Sequence, residues 1–146
     1  MYDDAQGFSL RDRDLAPEQI DDVGPIIRMR LSCRAAENLM LTDDVLDLAG
    51  TNWPELQRLL QRWIASNATH QYHNEAQAFA NEGFNRKDND LKAIRNILIG
   101  LVSNKPWEVL VGQAIARLSM EGGGGDPGSL RDFLGEKVCQ VLLKLG

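Results

Sequence analysis

A chain of 146 residues and 16.3 kDa has the size of one domain and can bury roughly 68–70% of its unfolded surface. Apolar residues make up 43% and charged residues 25%. These ordinary values exclude a mostly disordered chain, a collagen-like repeat and a disulfide-dense miniprotein. The net charge of −5 lies wholly in residues 1–22, where seven acids face Arg11 and Arg13, and the other 124 residues balance 14 acids with 14 bases. An acidic end on a neutral body disfavours broad phosphate binding, which needs a basic field.

The opening Met1-Tyr2-Asp3-Asp4 is the opposite of a cationic leader, and the longest apolar run, Ile97 to Val102, falls far short of the ~20 residues of a membrane span. Cys33 and Cys139 stand 106 positions apart with no other sign of an oxidising compartment. The expectation is a cytoplasmic chain, off the membrane, with two free structural thiols.

Taken in order, residues 1–16 read as an acidic, mobile tail interrupted by Tyr2, Phe8 and Leu10, which give it something to dock with. Residues 17–146 read as a helical bundle. Pro25 is suited to open a helix, and Ile27, Leu31, Ala35 and Leu39 fall four apart on one stripe. Thr42-Asp43-Asp44 starts a short turn closed at Gly50. Asn52-Trp53-Pro54-Glu55 starts the clearest helix, with Leu56, Leu59, Leu60, Trp63 and Ile64 on its inner face. A short helix follows over 73–81, with Ala76, Phe79 and Ala80 inward and Gly83 as its stop.

Asp88 or Asn89 is placed to cap the next helix, whose stripe is Leu91, Ile94, Leu98, Leu101 and Val102. Asn104-Lys105-Pro106 restarts the chain as Asn52 to Pro54 does, a shared start signal too slight to establish a repeat. Gly122 to Gly128 reads as a flexible joint, since ordering four successive glycines is entropically costly. Residues 129–145 then read as one amphipathic helix carrying Leu130, Phe133, Leu134, Val138, Val141, Leu142 and Leu145. No strand is predicted. The fold class is all-α, a single-domain bundle of five to seven mostly antiparallel helices with a Gly-rich joint before the last.

No catalytic constellation survives inspection. Gly123 to Gly128 fits a dinucleotide-loop pattern, but a helix rather than a strand precedes it, and Ser129 stands where a phosphate loop needs lysine. Asp88-Asn89-Asp90 begins like a calcium loop, but Lys92 and Ala93 occupy ligand and glycine positions. His70 and His73 share a helical face yet make only half of a zinc site. No cofactor, metal or small-molecule substrate is therefore expected.

What remains points to docking. Arg30/Arg34 and Arg58/Arg62 are i, i+4 pairs. With Arg28, they would line one face if their two helices packed side by side. Trp53 lies just before a helix as a candidate anchor, and Phe133, Val138 and Leu142 form the apolar stripe of the last helix. The leading expectation is a non-catalytic protein–protein interaction module, such as an adaptor, regulator or small subunit. It would dock on a protein partner or a second copy through helical faces. The alternative is a nucleic-acid-binding subunit using the arginine face.

Overall fold

The structure, a computed structural model, describes residues 7–121 and 125–145, so residues 122–124 of the glycine stretch lie outside it. It is mostly helical, with a small two-stranded sheet. Strand β1 (Gly7–Arg11) pairs in parallel with β2 (Ile26–Arg30), placing Phe8 beside Ile27 and Leu10 beside Met29. A 3₁₀ turn (Ala36–Leu41) leads into α1 (Asp43–Leu48), α2 (Trp53–Ser66), α3 (His73–Asn81), α4 (Arg95–Val102), α5 (Trp107–Glu121), α6 (Leu130–Leu134) and α7 (Glu136–Val141).

Two expectations are corrected at the N-terminus. Gly7–Arg11 is a strand, not part of a tail, and residues 26–30 are a strand, not the start of a helix. From Ile27 to Ala35 the odd positions turn inward: Met29, Leu31, Cys33 and Ala35 are buried, while Arg28, Arg30, Ser32 and Arg34 between them are half-buried. That is the period of two of an extended chain.

Local signals placed α2 and α3 as expected. The Asn52 side chain accepts from Glu55 N at 2.9 Å, and Pro54 sits in the first turn, where its missing N–H costs nothing. Leu56, Leu60 and Ile64 of α2 are buried and pack against α3 and α4. On α3, Ala76 and Phe79 point inward. Helix α4 starts later than its stripe suggests, at Arg95, because Leu91 to Ile94 form a turn with Ile94 N bonded to Leu91 O.

The last segment is two short helices, not one. Gly135 divides them at φ +92°, beside Glu18 and Ser32, where a Cβ would collide with the Glu18 carboxylate. Both helices dock on the body. Helix α6 packs on the 3₁₀ turn, α1 and α5, and α7 packs on α6 and β2. Leu130, Phe133, Leu134, Val138 and Cys139 join one core with Met29, Leu46, Leu60 and Leu98.

A polar clamp holds the long 82–94 connection to this core. Asn38 is fully buried in the 3₁₀ turn. Its Oδ1 accepts from Ala35 N, and its Nδ2 donates to Arg86 O at 2.8 Å and Asn89 O at 2.9 Å. Arg86 donates to Leu41 O and Asp43 Oδ1, and its guanidinium lies 4.7 Å from the centre of the Trp53 ring. Gly128, at φ +87°, a conformation that favours glycine, lies against the end of the Arg86 side chain, which a side chain there would displace.

Both thiols are free and fully buried. Burial pushes Cys33 from the ordinary 9.0 up to about 12, and raises Cys139 as well. The native protein should therefore resist a thiol reagent at pH 8 and react at both cysteines once unfolded, as a colorimetric thiol count would show. Since the unfolded thiol ionises first, stability linked to Cys33 is full below the ordinary value of 9.0 and lost as pH rises towards about 12.

Candidate functional site

The residues singled out for docking divide among several places. Arg28, Arg30 and Arg34 alternate along the extended segment, and Arg58 and Arg62 lie on α2. The side-by-side helices that would gather all five do not exist, because β2 is a strand packed on α7. Arg30 Nη1 donates to Pro17 O at 3.0 Å, Arg34 Nη1 reaches Asp88 O at 3.4 Å, and Arg58 pairs with Glu55 on the same exposed helix face. Arg62 is exposed.

Trp53 is not a free anchor. It is half-buried, with edge-on contacts to Phe79 and Phe84, both at 6.4 Å between ring centres, under the Arg86 guanidinium. Phe133 and Val138 are buried in this chain's own core and Leu142 is half-buried against it, so the last-helix stripe serves folding in cis. The two histidines do not converge on a metal. His70 Nδ1 accepts from Tyr72 N at 3.0 Å, and its ring packs 4.9 Å from Trp63. Among the described residues, no group of three or more His, Cys, Asp and Glu could hold a metal ion. No described helix is long and apolar enough to cross a membrane.

Three surface features remain. A cleft of about 560 Å³ between residues 18–19 and α6–α7 is lined by Glu18, Arg30, Ser32, Asp132 and Lys137. Several of its charges are already engaged. Asp132 pairs with Lys87 at 2.9 Å, and Lys137 donates to Arg28 O at 2.8 Å and pairs with Asp22 at 3.0 Å. The Arg28 amide and the Lys137 ammonium hold the Asp22 carboxyl below the usual carboxylate range.

The second feature is β1. Gly7 N donates to Pro25 O and Arg11 O accepts from Leu31 N, so alternate residues of β1 aim their backbone at β2. Phe8 and Leu10 therefore aim theirs outward, where no described residue meets them. Their side chains are 51% and 45% exposed. The outer edge of β2, in contrast, is blunted by the Val23–Ile26 bridge and by the Asp22 carboxylate on Arg28 N. Phe8 and Leu10 are visible in the sequence as apolar interruptions of an acidic stretch. Their pairing with residues nearly twenty positions on is not.

The third feature is a groove of about 390 Å³ between α3 and residues 89–94. Nothing in the sequence reading found it. Its signal is the outer α3 stripe Glu75, Ala78 and Glu82, which repeats at i, i+3 and i+7.

Comparison with protein-family models, curated protein sequences and solved structures finds no match to this chain.

Proposed function

We propose that this chain is a non-catalytic protein–protein interaction module of the cytoplasm that docks through its N-terminal strand pair instead of a helical face. The observation that carries the reading is the outward edge of β1, with Phe8 and Leu10 exposed side by side on it. A two-stranded sheet is marginal alone, and parallel pairs are normally covered on both faces. An open edge with apolar side chains is a template for another strand, whose main-chain hydrogen bonds give affinity and whose side chains give specificity. The nucleic-acid alternative has less support, because Arg30, Arg34 and Arg58 already bond groups of this chain.

The test places a photo-cross-linking phenylalanine analogue at position 8 and, as a control, at the exposed Gln113 of α5. Position 8 should give discrete protein adducts that Leu10→Lys removes without lowering the thermal midpoint. A second copy would show as a dimer band with purified protein alone. Adducts no stronger at position 8 than at position 113 overturn the reading.

A further inference from the structure

We infer that the groove between α3 and residues 89–94 is a second docking site, built for a peptide segment of a partner protein that presents a lysine or arginine next to an apolar residue. The inference rests on the reading of this chain as an interaction module, but not on the β1 edge. Two observations meet in this groove.

The first is shape. Ala78 and Phe79 form one wall and Ala93 and Ile94 the other. Phe79 and Ile94 are buried and form the floor, while Ala78 and Ala93 are exposed. Alanine at both rims leaves the floor open; longer side chains there would close it. The volume of about 390 Å³ suits one or two side chains, not a folded domain.

The second is charge. Glu75, Glu82 and Asp90 stand exposed around the groove, and none has an ion-pair partner among the described residues. Among the described residues the one base lining it is Arg34, half-buried and turned to the carbonyl of Asp88. The groove thus offers net negative charge over an apolar floor. That complements a cation whose methylene stem lies on apolar surface while its head stays at the rim.

The acids thus select a cation, and the floor an apolar neighbour.

A phage-displayed library of random 12-residue peptides, selected on the full chain, tests this. Enriched peptides should carry Lys or Arg beside an apolar residue. Fluorescence polarisation with a labelled enriched peptide should show at least a tenfold loss of affinity for Ala78→Leu/Ala93→Leu, which fills the groove. Glu82→Lys should lose as much, and wild-type affinity should fall with added salt. Both variants should fold, since Ala78 and Ala93 are exposed, leucine suits the helix at position 78, and a cation is favourable at the C-terminal end of α3. Enriched peptides that are acidic, or that bind the filled variant equally well, overturn the groove while leaving the module reading intact. An absence of enrichment overturns the groove as well, and the cross-link at position 8 decides the module reading separately.

Discussion

Phe133→Ala should lower the stability of the isolated protein by about 3–5 kcal/mol, the usual result of emptying a buried phenylalanine site. For a chain of this size that is a midpoint drop of roughly 6–20 °C. Phe133 is 1% exposed on α6, which packs against the 3₁₀ turn, α1 and α5, and its carbonyl accepts from Cys33 N at 2.9 Å. The surrounding helices cannot close the space without moving that backbone contact. Leu142→Ala should cost clearly less, because Leu142 is only half-buried. Urea unfolding followed by tryptophan fluorescence measures both. A variant of normal stability that has lost a binding partner would return Phe133 to the docking surface.

The second large effect is expected at a polar residue. Asn38→Ala leaves the Ala35 amide and the carbonyls of Arg86 and Asn89 without the side chain that satisfies them. A stranded buried group costs about 1–3 kcal/mol, and partial access of water to the loop carbonyls limits the total to about 3 kcal/mol. The change should also release residues 85–90, where Arg86 covers Trp53. Amide hydrogen exchange should therefore rise there more than in α2. Asn38→Asp should not rescue: it keeps the acceptor for Ala35 N but turns a carboxylate towards three carbonyls. Normal exchange in residues 85–90 of Asn38→Ala would show that the clamp is unnecessary.

These two sites show where sequence reasoning reaches its limit. Apolar residues four apart, from Ile27 to Leu39, fit a helix, yet a spacing of four is also two steps of a strand. Met29 and Cys33 decide the matter: both lie off the helical stripe, both are apolar, and they are 1% and 0% exposed. The period could have been read at that point. The partner strand could not, because Gly7–Arg11 carries polar and charged residues and pairs across a gap of nearly twenty positions. The last helix misled for a different reason. Its apolar stripe runs through Gly135 without a change of phase, and the break comes where Gly135 takes φ +92° beside Glu18 and Ser32.

The docking surfaces follow the same division. Trp53 is the residue type of an interface anchor and Phe133 and Val138 lie on an apolar stripe, and composition cannot tell a partner's surface from the chain's own. The groove beside α3 uses residues from three separated stretches, around Arg34, 75–82 and 89–94. What local sequence decided was α2, α3 and α5: a cap and a proline open α2, Pro106 precedes α5, and a 3.6-residue apolar period runs through all three. Tertiary structure alone decided the parallel strand pair, the Asn38 clamp, the split of the last helix and the side chains left outside. Each of these depends on a contact between distant parts of the chain, where burial and hydrogen bonding outweigh local preference.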